Sequence, residues 1–177
     1  MKRTPIRRTQ GGFTLVEILV ALLITAFGLL GFAGLVSKAT TLTADSTQRA
    51  RGAMLLEDMA QRILSNKTNA AAYADLSVLG ESTTACNDGA SLVNRDRCEW
   101  NNLLAGASDG SAQGFLGFRG CIRRPDPTQP VYVVTVAWGA LTPGEPPVDG
   151  CAVGVFGSDN VFRRVVRKQI RIANLTA

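Results

Sequence analysis

The feature that most constrains this chain is an apolar run of 24 residues, residues 13–36, interrupted only by Thr14, Glu17 and Thr25. As an α-helix that rises ~1.5 Å per residue, the run is about 36 Å long, enough to cross a hydrocarbon core of ~30 Å. Several basic residues and no acidic residue precede it. By the positive-inside bias, the sequence predicts one membrane-spanning helix with a cytoplasmic N-terminus and an exported remainder.

Glu17 is unexpected in such a helix, because an acid within the hydrocarbon costs roughly 2.5 to 3.5 kcal/mol on insertion scales. A secretory signal does not explain the segment either, since its apolar region is ~7 to 15 residues long and its cleavage site follows that region. Here the clearest processing site, Gly11-Gly12, precedes the run. An acid that reaches back to the membrane interface is the simplest alternative.

The stretch GGFTLVEILVALLI, residues 11–24, resembles the class III signal of type IV prepilins and type II secretion pseudopilins. The resemblance implies that a prepilin peptidase cuts between Gly12 and Phe13 and that the new N-terminal residue, Phe13, is N-methylated. It also implies an assembly role for Glu17. The free amine of Phe13 in a neighbouring subunit would pair with this carboxylate and set the register of the helices in a filament.

Residues 37–66 are predicted to continue the helix as an amphipathic segment, because Ala53, Leu56, Ala60 and Ile63 recur at helical spacing. The predicted organisation is therefore a leader (residues 1–12), a transmembrane or filament-core helix (13–36), its amphipathic continuation (37–66) and a globular head (67–177).

The head divides at about residue 114. Residues 67–114 lack periodicity and are predicted to form loops with short helical pieces. Residues 115–177 contain three predicted strands, 117–124, 131–139 and 162–173, of which 131–139 is apolar on both faces and should be central. An antiparallel sheet packed on the long helix makes the fold class α+β, and the resemblance specifies the type IV pilin fold. Residues 47–64 and these strands also resemble PilV-type minor pilins.

Four cysteines, an even number, all lie beyond the apolar run, which favours two disulfides in an oxidising compartment. We predict Cys86 with Cys98, which closes a short polar loop, and Cys121 with Cys151, which ties a strand to a turn-rich connection. The other two connectivities stay open, and a zinc site is the alternative. Its ligands usually come in close pairs, unlike these, so no metal and no cofactor are expected.

Five basic residues lie on the last predicted strand: Arg163, Arg164, Arg167, Lys168 and Arg171. With Arg119, Arg123 and Arg124 they would form a patch for an acidic neighbouring subunit or for DNA. The strand is nearly devoid of aromatic residues that stack on bases, so nucleic acid is the less favoured partner. The alternative is an edge strand protected by charge.

These observations favour a minor pilin, a non-catalytic subunit that helps initiate, or lies near the tip of, a type IV pilus. The resemblance implies other minor pilins, the major pilin, the prepilin peptidase, the inner-membrane assembly platform and a large tip adhesin as partners. It places the chain in the bacterial inner membrane with a periplasmic head, and then in the pilus. The alternatives are a type II secretion pseudopilin and a DNA-uptake pilin. A membrane-anchored enzyme is disfavoured because the chain has no histidine and no recognisable nucleophile motif.

Overall fold

The computed structural model describes residues 12–87, 89–106 and 117–173. Most of the predicted leader, residues 1–11, lies outside this part of the chain, as do residues 107–116 of the head. The elements are α1 (Leu15–Ser65), a 3₁₀ turn (Lys67–Asn69), α2 (Ala70–Tyr73), β1 (Asp75–Leu79), α3 (Leu92–Gly106), β2 (Phe118–Arg123), β3 (Val131–Gly139) and β4 (Arg163–Arg171).

The chain divides into two compact units, the first ending at Leu42 and the second beginning at Thr43. The described part of the first unit is the exposed apolar portion of α1. The second unit contains the end of α1, both shorter helices and the whole sheet. A long N-terminal apolar helix whose later part packs on a C-terminal antiparallel sheet confirms the predicted α+β fold class, and it is consistent with the type IV pilin fold.

The sheet has four strands in the order β1-β2-β3-β4, and each neighbouring pair is antiparallel. β3 pairs with β2 on one side and with β4 on the other, as predicted for the central strand. β4 lies at one edge of the sheet and β1 at the other.

The main core lies on one face of the sheet. Side chains at even positions of β3 point towards the helices, because successive residues of a strand face opposite sides. Their partners on α1 are spaced by three or four residues, which places them on one stripe of that helix. The fully or almost fully buried contributors from α1, α3 and β3 are Leu56, Met59, Ala60, Ile63, Trp100, Leu104, Tyr132, Val134, Val136 and Trp138.

A second, smaller core lies on the opposite face. Residues 140–162, between β3 and β4, fold back over the sheet and bury Phe156 against Cys121 and Ala137. The sheet is therefore covered on both faces at the end where β3 leads into this connection.

Residues 67–114 differ from the predicted loop, because they contain β1 and the 15-residue helix α3. Ser91 caps α3, since its hydroxyl oxygen accepts a hydrogen bond from the Asn94 N–H at 3.4 Å. Val93, Asp96, Trp100 and Leu104 form its buried face. The polar Asp96 in that stripe conceals the helical period from a hydropathy pattern.

Candidate functional site

The predicted cleavage point lies ahead of α1 and is open. Gly12 has free space around it, since a Cβ atom built there would meet no heavy atom of the structure within 4 Å. Phe13 is 78% exposed, and the helix begins two residues later at Leu15. The peptide bond between Gly12 and Phe13 thus precedes the first helical turn, in a segment with no regular secondary structure.

Glu17 lies in the first turn of α1. Its backbone N–H donates to Thr14 Oγ1 at 3.3 Å, so Thr14 caps the helix, and the Glu17 carboxylate lies near the positive end of the helix dipole. Among residues 12–87, 89–106 and 117–173, the structure gives this carboxylate no hydrogen-bond or ion-pair partner. A cation that pairs with Glu17 has to come from the first eleven residues or from another molecule.

The surface around Glu17 is apolar on every side. Large aliphatic and aromatic side chains from Leu15 to Val36 are about half exposed or more. By length and composition α1 qualifies as a membrane-crossing helix, with a mean hydropathy of 2.5 over its most apolar 18-residue window, none of which is buried. An exposed apolar surface of this size is typical of an interaction site, such as one for lipid or for other helices.

Residues 7–33 match the family described as the prokaryotic N-terminal methylation motif. No curated protein and no solved structure matches the chain. The motif is the class III prepilin signal, and it supports a type IV pilin-like or pseudopilin subunit that is processed by prepilin peptidase. Together with the apolar helix, it fits a protein anchored in the inner membrane.

The five basic residues predicted as one patch lie on β4, but the sheet divides them between its two faces. Arg164 and Lys168 face the helices, where Lys168 Nζ pairs with Glu57 Oε2 at 2.6 Å. Arg163, Arg167 and Arg171 face the opposite side. The single patch is wrong because side chains alternate along a strand.

Arg163 is 2% exposed and acts as a clamp rather than as part of a surface. Its Nη1 donates to the carbonyl oxygens of Asp149 (2.7 Å) and Cys151 (2.8 Å), and its Nη2 donates to that of Pro147 (2.7 Å). Burial lowers the pKa of Arg163, and the nearby Asp149 opposes that shift. The guanidinium therefore holds the backbone of the connection between β3 and β4.

The cysteines form the two disulfides expected from the sequence. Cys86 is bonded to Cys98 with Cα atoms 5.6 Å apart, and Cys121 to Cys151 with Cα atoms 5.8 Å apart. The first ties the loop after β1 to α3, and the second ties β2 to the connection between β3 and β4. Because all four sulfurs are in disulfides, the zinc alternative does not describe this arrangement.

An ion-pair network between α1 and α3 was not predicted from the sequence. Arg62 Nε lies 2.9 Å from Asp58, and its Nη1 lies 3.1 Å from Asp96 and 2.6 Å from Glu99. Burial lowers the pKa of Arg62, but the three carboxylates together raise it above its usual value. The i,i+4 spacing of Asp58 and Arg62 was a visible signal, whereas the contact with Asp96 spans 34 residues.

Tyr73, in α2, is a further member of this network. Its hydroxyl donates to Asp96 Oδ2 and accepts a hydrogen bond from Asn66 Nδ2 at 3.2 Å. Burial, together with the Asp96 carboxylate, raises the pKa of Tyr73 to about 12. The network is a structural joint between the end of α1 and the head.

Proposed function

We propose that the chain is a non-catalytic minor pilin of the PilV type, which helps initiate a type IV pilus or lies near its tip. The observation that carries this proposal is Glu17, the acid in the first turn of a helix that is otherwise apolar and exposed, four residues after Phe13. The resemblance of residues 47–64 and of the strands to PilV-type minor pilins supports the finer assignment.

The proposed assembly step is the formation of an ion pair between two subunits. Cleavage after Gly12 creates an amine on Phe13, which Glu17 of a neighbouring subunit can bind once both helices leave the lipid for a bundle. An unpaired charge in such a bundle costs about 3 to 5 kcal/mol, so the pair favours one axial stagger over the others. Glu17 therefore acts in registration and has no role in catalysis.

The proposed partners follow from that step. They are the prepilin peptidase, the assembly platform in the inner membrane, the major pilin, other minor pilins and a tip adhesin. The head would lie in the periplasm before assembly and on the pilus afterwards. We do not propose nucleic acid as a ligand, because the basic residues of β4 are divided between two faces.

The test is incorporation of an epitope-tagged chain into sheared pili. A Glu17→Leu variant should be cleaved and remain in the membrane, yet fall by about tenfold or more in the pilus fraction, given the cost of an uncompensated charge. The matched control is Thr25→Leu, another polar-to-apolar change in the same helix. The Thr25 hydroxyl bonds only its own helix, at Ala21 O (2.7 Å), so this variant should assemble like the wild type.

Wild-type recovery of Glu17→Leu in pili would contradict the registration role. A strain that lacks the whole chain distinguishes a role in the type IV pilus from a role in type II secretion. Loss of surface pili supports the minor pilin, whereas loss of protein secretion with normal piliation would identify a type II secretion pseudopilin instead.

A further inference from the structure

The second face of the sheet is only half covered. The connection between β3 and β4 buries this face as far as Thr135, which is 3% exposed. Beyond Thr135 the strands continue without a covering layer in the described structure. We call this area the open half-face. Its members, exposed or half-buried, are Arg123, Val131, Val133, Arg167, Gln169 and Arg171.

The strand register places three arginines around an aliphatic centre. Val133 is directly opposite Arg123 on β2 and Gln169 on β4. Arg167 and Arg171 lie two residues to either side of Gln169. With strands ~4.8 Å apart and ~3.4 Å per residue, the three arginine Cα atoms are roughly 12 to 14 Å from one another. The open half-face therefore has valine side chains at its centre, which we call its floor. The three arginines around them are called its rim.

The described part of the chain supplies no carboxylate that pairs with this rim. Across the described ranges, neither Arg123 nor Arg167 nor Arg171 forms an ion pair. The other face of β4 differs, since Lys168 is paired with Glu57. Arginine binds carboxylates through a planar fork, so the rim is suited to acidic groups from another molecule.

A ridge of opposite character borders the open half-face. Hydrogen bonds from all three strands fix residues 147–150, including the bond from Arg163 to the Asp149 carbonyl oxygen. Arg163 binds Pro147 O (2.7 Å), the Thr135 hydroxyl donates to Asp149 Oδ2 (3.2 Å), and Arg123 Nη2 reaches Gly150 O (3.4 Å). We call residues 144–150 the acidic ridge.

The acidic ridge presents an aliphatic side chain and one exposed acid, Glu145, while the carboxylate of Asp149 accepts hydrogen bonds from the Cys151 N–H (2.8 Å) and the Thr135 hydroxyl (3.2 Å). Val148 is 104% exposed although the backbone on both sides of it is held in place. Glu145 is exposed and Asp149 half-buried. The whole connection, residues 140–162, contains three acidic residues and no basic one. The ridge thus carries acidic residues and no basic residue, whereas the open half-face carries arginines and no acidic residue.

We propose that two copies of this chain associate through these two surfaces, with the acidic ridge of each copy on the open half-face of the other. A ridge beside a hollow on the same face is self-complementary about a twofold axis. In this arrangement Val148 of one copy packs on Val133 of the other, and Glu145 approaches the arginine rim. The inference concerns the head and holds whether or not the chain enters a pilus.

The interface is small. Three strands by about four residues give roughly 14 by 14 Å of floor per copy, so the total stays below the ~1,200 Å² of a standard interface. Such a dimer is transient, and anchoring of both copies in one membrane raises their effective concentration. Its charge pairs lie at the rim, where salt screens them over ~8 Å at physiological ionic strength.

The test measures dimerisation of the purified full-length chain in detergent by sedimentation. The apolar helices can also associate, so the diagnostic changes are confined to the head. Arg167→Glu and Glu145→Lys should each weaken dimerisation by about tenfold or more, because each places like charges in contact. The double variant restores opposite charges and should recover most of the loss. Lys67→Glu, an equal charge reversal at an exposed site in the 3₁₀ turn, is the matched control and should have no effect.

A second measurement identifies the contact itself. Arg167→Lys keeps the charge and supplies an amine that a carbodiimide can join to a carboxylate. In a mixture of isotope-labelled and unlabelled chains, mass spectrometry should find heavy–light peptides that join the introduced lysine to Glu145. Crosslinks only within one chain would contradict the dimer, as would a dimer that resists the reversal at Arg167. Monomeric chains that bind a duplex oligonucleotide, with binding lost in Arg167→Glu, would show a polyanion surface instead.

Discussion

Replacement of Gly120 by alanine tests how tightly the backbone of β2 packs against side chains of α3. A Cβ atom at this position of β2 would lie 2.3 Å from Trp100 Cη2 and 2.6 Å from Leu104 Cδ1, whereas ordinary contacts are 3.4–4 Å. The indole would have to move by more than about 1 Å. It is fully buried, and its Nε1 is anchored to Leu55 O of α1 at 2.8 Å, so it has little freedom to do so.

The expected cost follows from two opposing effects. Overpacking of a well-packed core costs typically ~1 to 3 kcal/mol and occasionally more. Alanine is better than glycine in a strand by roughly 0.5 to 1 kcal/mol, which offsets a part. Because the overlap with Trp100 and Leu104 is severe, the cost lies at the upper end of the first range, and we expect Gly120→Ala to lower the free energy of unfolding of the head by about 2 to 2.5 kcal/mol and its melting temperature by on the order of 5 to 10 °C.

Tryptophan fluorescence is a suitable assay, because both tryptophans, Trp100 and Trp138, are buried in the head. Gly89→Ala is the matched control, since a Cβ atom there meets nothing within 4 Å, and it should change stability by less than ~0.5 kcal/mol. In a Trp100→Phe background, the smaller ring should make Gly120→Ala much less costly. Additive effects of the two changes, or equal stability of the two glycine variants, would refute the steric argument.

Three further predictions concern processing, the α1–α3 joint and acid stability. Gly12→Trp should insert into the membrane but stay uncleaved by the prepilin peptidase, and a mature N-terminus by mass spectrometry would contradict the prepilin assignment. Arg62→Met should destabilise the head by about 1 to 3 kcal/mol in denaturant unfolding, whereas the exposed Arg95→Met should cost under ~0.5 kcal/mol. Arg97 and the Ser77 hydrogen bonds lower the pKa of Asp75 to about 2, so the pair's small stabilisation is present above pH ~4 and lost as pH falls towards 2. The stability difference between wild type and Arg97→Met should therefore shrink over that range.

The long helix and the central strand could be predicted because each is specified by a local pattern. The apolar run fixes a membrane-length helix irrespective of its neighbours, and β3 is apolar on both faces, of which one is covered by helices and the other is covered from Thr135 onward. The motif around Gly12, Phe13 and Glu17 is equally local. Each of these features can be recognised within a few turns or one strand of sequence.

The features that sequence reasoning missed depend on tertiary contacts. α3 places the charged Asp96 on its buried face, which is tolerable only because Arg62 and Tyr73 neutralise and solvate that carboxylate. The basic strand looked like one patch because its charges are adjacent in sequence, but pairing with β3 sent them to opposite faces. Burial of Arg163 required the carbonyl groups of a connection that has no regular secondary structure.

Because Arg163 binds backbone carbonyl groups, the path of the connection between β3 and β4 does not depend on which side chains that connection carries. Arg163 grips carbonyl oxygens of Pro147, Asp149 and Cys151, and every amino acid supplies a carbonyl. New side chains grafted at Val148 would therefore leave the anchoring acceptors unchanged, while the guanidinium itself has no substitute with the same fork of donors. The head could therefore serve as a scaffold for presenting peptide sequences. Arg163 would hold the backbone of the loop while its outward-facing residues are substituted.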